Sequence, residues 1–164
     1  MKYYARIAAP LTALTRKGQH FEWTSECQVA FDALKRALTT PPVLAMPDDQ
    51  GSFILDTDAS DVSVGAVLSQ VQGGVERVIA YGGRSLSRQE RNYCITRREL
   101  LAVVYFVRYY RQYLLGRRFL VRTDHSALTW LHRTTEPIGQ NARWLEQLGE
   151  FTFDIKHRPG AVRS

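Results

Sequence analysis

The residues best placed to do chemistry are carboxylates. In the stretch Ser52–Asp61, SFILDTDASD, an apolar run of Phe53-Ile54-Leu55 leads straight into Asp56, Asp58 and Asp61. Short apolar runs bounded by turn residues read as buried strands. Burying an unpaired carboxylate costs several kcal/mol, so the charge here has to be compensated, and a metal ion is one candidate. Asp56 and Asp58 are two apart and share one face of such a strand. Two more acids fall at comparable places: Glu99 lies in the opening turn of a long helical pattern, and Asp124 ends the run Phe119–Thr123. All-oxygen ligation suits Mg²⁺ or Mn²⁺ rather than zinc. Two such ions ~4 Å apart can activate a water and stabilise the leaving oxygen of a phosphodiester. The candidate catalytic and metal-ligating set is therefore Asp58, Glu99 and Asp124.

Each of these acids also has a plainer reading. Glu99 completes a capping box with Thr96, Asp124 or Ser126 caps the next helix, and Asp58, like Asp61, accepts backbone N–H bonds in the Ala59–Ser63 turn. What the plain readings leave unexplained is why three caps fall at element ends that converge.

The elements that must position these acids follow from periodicity. Strands are expected at Phe53–Asp58, Val64–Val71 and Val75–Tyr81, the last two joined by a hairpin at Gln72-Gly73-Gly74. Gly82-Gly83 and Ser85–Asn92 read as a loop. A long helix then starts near Thr96, carries the stripe Leu100, Val103, Val104, Val107, Tyr110 and Leu114, and ends at Gly116. A fourth strand at Phe119–Thr123 is followed by short helices at Ser126–His132 and Asn141–Leu148, and a fifth strand spans Phe151–His157. Hairpins make antiparallel neighbours and crossovers make parallel ones. The expected fold class is α/β, a mixed five-stranded sheet with helices packed on it. If the first and fourth strands are parallel neighbours, Asp58 and Asp124 emerge at the same sheet edge, where ligands of such sheets gather.

Ahead of that domain lie a short helical pattern around Ile7-Ala8 and Leu11-Leu14 and a helix capped by Thr24 or Ser25. The second helix places Val29, Phe31, Leu34 and Leu38 at helical spacing and is stopped by Pro41-Pro42. Pro47-Asp48-Asp49-Gln50-Gly51 is a turn-rich boundary. Residues 1–46 thus read as a connection or tether, and 47–164 as the main domain.

Composition sets outer limits. The 164 residues, 45% hydrophobic, suit one core with an appendage. No run approaches the roughly 20 apolar residues that span a bilayer. MKYYARIAAPLTALTRKG lacks the apolar centre of a secretion signal and reads as the middle of a longer polypeptide given a start Met. Cys27 and Cys94 have no metal-binding spacing and read as free thiols of a reducing compartment. Lys and Arg outnumber Asp and Glu by 22 to 16, a net charge of +6 that favours a polyanionic partner. Arg97, Arg98, Arg122, His125, His132, Arg133, Arg143, Lys156, His157 and Arg158 are the candidates for phosphate contacts, with Arg98, Arg122, His125 and Arg143 foremost. Trp130 and Trp144 read as core before base-stacking platforms.

Three segments carry a family resemblance: LDTDASDVSVGAVLSQ, NYCITRRELLAVVYFVRYYRQYLLGRRFLVRTDHSAL and FDIKHRPG. In order and spacing they resemble the ribonuclease H domain of gypsy-type LTR retrotransposon polyproteins, over essentially the whole chain. IAAPLTALTRKG and FEWTSECQVAFDALKRALTTPPVL resemble the segment that joins the polymerase to that domain. The resemblance implies an RNase H-like fold and a two-metal nuclease that cleaves the RNA strand of RNA–DNA hybrids during reverse transcription, with Mg²⁺ or Mn²⁺ as cofactor. It further implies the polymerase of the same polyprotein as partner and a cytoplasmic particle or the nucleus as setting. Residue by residue, the TDAS aspartate is Asp58, the helix glutamate Glu99 and the TDH aspartate Asp124, while Asp56 is not a family ligand.

The family pattern continues past HRPG to a fourth acidic ligand, and this chain stops at Ser164 first. Asp154, mid-strand, is a poor substitute, so weak or absent activity is expected of the fragment. That keeps a second reading open, a retroelement-derived module that binds nucleic acid or protein without cutting. No Tyr-x-Asp-Asp segment is present for a polymerase site, and no glutamate sits late in a helix as in an integrase core.

Overall fold

A computed structural model describes residues 4–39, 44–124, 127, 129 and 139–158. Its elements are α1 (Tyr4–Leu14), α2 (Ser25–Thr39), β1 (Phe53–Ala59), β2 (Ser63–Gln72), β3 (Val75–Ser85), a 3₁₀ turn at Glu90–Asn92, α3 (Ile95–Tyr109), α4 (Arg111–Leu114), β4 (Arg118–Thr123), α5 (Gln140–Leu148) and β5 (Thr152–His157). Of the expected helix at Ser126–His132 only Ala127 and Thr129 are described, both helical, and the Pro41-Pro42 stop lies outside the described residues.

The five strands form one mixed sheet in the order β3-β2-β1-β4-β5. β1–β2 and β2–β3 are antiparallel, whereas β1–β4 and β4–β5 are parallel. The β2–β3 hairpin turns on Gly73 (φ 58°) and Gly74 (φ 81°), two consecutive left-handed positions whose twist matches that of the strands they join. β1 is buried along Phe53–Thr57 because it is central and covered on both faces.

α3 covers one face. Leu100, Val103, Val104, Val107, Tyr110 and Leu114 are all buried in the main core with Leu55, Leu68 and Val121. The helix does not run unbroken to Gly116: Tyr110 leaves helical geometry (φ −96°, ψ 22°), and α4 resumes beyond it. Gly82 and Gly83 are not a loop but the continuation of β3. They are glycines because helices press on them from opposite sides. A Cβ on Gly82 would lie 2.6 Å from Tyr110 Oη and 2.7 Å from Phe106 Cε1, and one on Gly83 would lie 3.1 Å from Tyr4 Cδ1. Successive strand residues point to opposite faces, so α1 packs on the sheet face away from α3.

In α2 the expected stripe is misplaced. Cys27 and Ala30 are buried, whereas Val29 is 67% and Phe31 41% exposed. Thr24 caps the helix as expected, its Oγ1 accepting the Cys27 N–H at 3.3 Å. Both cysteines are free thiols. Segment 44–52 is fastened to the sheet by the fully buried Gln70, whose Oε1 accepts the Asp48 N–H (2.8 Å) and whose Nε2 donates to Asp48 O (2.8 Å) and Gly51 O (2.9 Å).

Candidate functional site

The parallel pairing of β1 with β4 decides where the acids go. Asp56 stands opposite Arg122 in the register, and two residues further along each strand come Asp58 and Asp124, at the same carboxyl edge of the sheet. Both are exposed. Glu99 reaches this edge from α3. The helix begins at Ile95 with Cys94 as its cap residue and no side-chain capping bond, so Glu99 is the fifth helical residue and the expected Thr96–Glu99 capping box does not form. Its side chain is instead buried, 5% exposed, beside the end of β1.

The electrostatics of Glu99 follow from that position. Burial pushes its carboxyl up to about 8, and the nearby charges of Asp58 and Asp124 push in the same direction, against a smaller pull from the Ala59 N–H and Arg98. The Ala59 N–H also donates to Asp58 Oδ1 at 3.1 Å, so Asp58 and Glu99 meet at one backbone group. Glu99 Oε2 is buried without a hydrogen-bond partner. The adjoining Ala59–Ser63 turn is organised by Ser60, whose Oγ accepts the N–H groups of Val62 (3.2 Å) and Ser63 (3.0 Å). Ser60 thus shares the task the sequence assigns to Asp58 and Asp61, with Asp58 accepting the Ala59 N–H at the start of the turn.

Asp56, which the resemblance leaves outside the ligand set, is buried and has its charge compensated by an arginine. Arg122 Nε and Nη2 each donate to one Asp56 carboxylate oxygen at 2.7 Å, and Arg158 Nη1 lies 3.9 Å from Oδ1. Nothing local signals this pairing, because the partners are 66 residues apart.

The same contacts revise the basic candidates. Arg122 also binds Glu76 through Nη1 (3.1 Å) and Nη2 (3.0 Å), so its guanidinium is paired with two protein carboxylates. Arg98 Nη1 donates to Ser60 O at 3.1 Å, bolting α3 to the turn beside the acids. Arg143 is exposed on α5, and His125, His132 and Arg133 lie outside the described residues. Arg97 stacks on Tyr93 (4.2 Å) and Trp144 (5.7 Å) and donates to Gln140 Oε1. Trp144 is buried in the core, as expected, while Trp130 is outside the described residues. Asp154 pairs with Arg118 at 3.0 and 2.9 Å on the exposed face of β5, away from the acidic edge.

A small pocket of about 40 Å³ opens beside Asp58, with Asp56, Ser60, Gly65 and Arg158 on one side and Tyr4 and Ala5 of α1 on the other. Helix α1 therefore forms part of the wall next to the candidate site. Among the described residues, no three acid, histidine or cysteine side chains converge closely enough to surround one ion. The donors are nevertheless of the right kind: three carboxylates, one of them buried, short of a partner and raised by that burial and then by its acidic neighbours.

Comparison with known proteins agrees with this architecture. Residues 23–121 match the model of the RNase H-like domain found in reverse transcriptase. The retrovirus-related Pol polyprotein from transposon 297 of Drosophila melanogaster is 40% identical over 162 residues, covering 98% of this chain and 15% of the polyprotein. The Tf2-3 transposon polyprotein of Schizosaccharomyces pombe is 34% identical over 163 residues, covering 96% of this chain and 12% of its own length. The chain thus spans less than a sixth of the curated relatives it matches. Among solved structures, the foamy viral protease-reverse transcriptase in complex with RNA/DNA hybrid superimposes with a TM-score of 0.73 at 18% identity, covering 98% of this chain and 23% of that one. The same viral protein in complex with dsDNA gives 0.70 at 19%, covering 94% and 34%. These two likenesses establish the fold, and the sequence match establishes the kinship: the chain belongs to the family of RNase H-like domains found in reverse transcriptases.

Proposed function

We propose that this domain hydrolyses the RNA strand of RNA–DNA hybrids, with Asp58, Glu99 and Asp124 as the ligands of Mg²⁺ or Mn²⁺, as part of a retroelement polyprotein whose polymerase makes the hybrid. The observation that carries the reading is Glu99, a buried carboxylate without a partner on Oε2 whose charge is opposed by Asp58 and Asp124. Such an arrangement is costly for stability and favourable for cation capture, and strongly raised carboxylates cluster at functional sites. A bound pair of divalent ions would supply an activated water and charge stabilisation for the departing oxygen. The chain's own part is to present the carboxylates at the β1–β4 edge, the exposed Asp58 and Asp124 turning in toward the fixed Glu99. The basic surface, net +6, would hold the hybrid by its phosphates, with its shape and 2′-hydroxyls read in place of base edges.

The open spacing of the acids favours a second reading, a module that binds hybrid without cutting it. Incubation with labelled hybrid and Mn²⁺ separates the two. The nuclease reading expects RNA-strand cleavage leaving 3′-hydroxyl and 5′-phosphate ends, reduced roughly 100-fold or more by Asp58→Asn or Glu99→Gln. Hybrid bound and intact throughout, or cleavage indifferent to both substitutions, would reject it.

A further inference from the structure

We propose that Asp56 and Arg122 form a positioning pair that fixes the separation of the Asp58 and Asp124 ends of β1 and β4. This inference rests on the metal-site reading above. The two residues are register partners on the central parallel pair of strands, and each precedes one of the site acids by two positions on the same strand face. They are joined by two parallel N–H···O bonds of 2.7 Å, the fork geometry that only arginine offers. The Asp56 side chain is 8% exposed and that of Arg122 28%, so the pair is largely shielded from water.

The pair is anchored from both sides. Glu76 on β3 accepts from the far nitrogens of Arg122. Arg158, just past β5, lies 3.9 Å from Asp56 and donates its backbone N–H to Thr123 O at 2.9 Å, one residue before Asp124. A tie that spans both strands immediately behind two carboxylates limits how far those carboxylates can drift apart. It acts on the site without touching an ion or substrate, which makes it a positioning device and not a catalytic one.

The test is Mn²⁺ binding by the whole chain, read as free Mn²⁺ by electron paramagnetic resonance, with thermal midpoints measured alongside. Arg122→Lys keeps the charge but loses the fork. It is expected to leave the midpoint within a few degrees of wild type and to weaken Mn²⁺ binding about tenfold, the usual effect of disturbing groups that orient metal ligands. Arg118→Lys, the same change in the exposed pair with Asp154, is expected to leave Mn²⁺ binding unchanged. Should Arg122→Lys fail to fold, the double change Asp56→Leu with Arg122→Met replaces the pair by apolar groups of similar size, which folds tolerate well. That variant should fold and show the same weakening. Wild-type affinity in a folded Arg122→Lys or double variant, equal weakening by Arg118→Lys, or a double variant that does not fold would overturn the proposal. Absence of Mn²⁺ binding by the wild-type chain would instead defeat the metal-site reading itself, and this inference with it.

Discussion

Glu99 gathers the consequences of the site into one side chain. Its carboxyl is held at about 8 against an ordinary value of 4.5, by burial first and then by Asp58 and Asp124. In the metal-free protein both folded and unfolded chains carry the proton below pH 4.5, and Glu99 then makes no pH-dependent difference. Between 4.5 and 8 only the folded chain keeps it, so this contribution to stability declines as pH rises and is fully lost above 8. Urea denaturation of metal-free protein should therefore find Glu99→Gln more stable than wild type at pH 9, by on the order of a few kcal/mol, and nearly equal to it at pH 4. An equal offset at both pH values would show that Glu99 is not held protonated. The three acids were legible in the sequence because charge at the ends of apolar elements is conspicuous. Asp56, equally conspicuous but outside the candidate set, is paired with Arg122, on a strand that only tertiary structure brings alongside.

The elements came through where periodicity alone governs them. The stripe of α3 lies where the sequence places it because it buries one continuous face, and β1 and β2 lie where their apolar runs place them. The failures share a physical reason, a neighbour that local pattern does not record. Gly82-Gly83 looks like a turn, yet it is strand because two helices need room on either side of it. α2 has an apolar stripe, yet Cys27 and Ala30 are the residues it buries, with α1 near enough for the Cys27 thiol to reach Pro10 O at 3.8 Å. Gln70 looks like an ordinary polar residue of a strand, and only the course of segment 44–52 reveals it as an internal fastener. Gly82→Ala puts a methyl group into the ring of Phe106 and the hydroxyl of Tyr110, and should cost about 1–3 kcal/mol in chemical denaturation. A neutral result would mean that α3 sits further from β3 than described.

For the whole molecule, the mixed sheet was foreseeable from hairpins and crossovers, its order is supplied by the structure, and the family match confirms the class to which it belongs. A boundary near residue 46 follows from the turn-rich 47–51 stretch and from the resemblance of the segments before it to a joining segment, while the family match begins at residue 23 and α1 sits on β3 beside Asp58. With a net charge of +6, the proposed hybrid binding would be driven largely by phosphate contacts. Raising salt from about 50 to 200 mM should then weaken it tenfold or more, by fluorescence anisotropy with a non-cleavable hybrid, and a salt-independent affinity would contradict that view. The claim beneath all of this is that one edge of the sheet collects divalent cations. Paramagnetic broadening of backbone amide signals by substoichiometric Mn²⁺ tests it most directly. The account predicts loss of signal centred on Asp58, Ala59, Glu99 and Asp124, abolished by Asp58→Asn. Broadening centred elsewhere, or none at millimolar Mn²⁺, would contradict it.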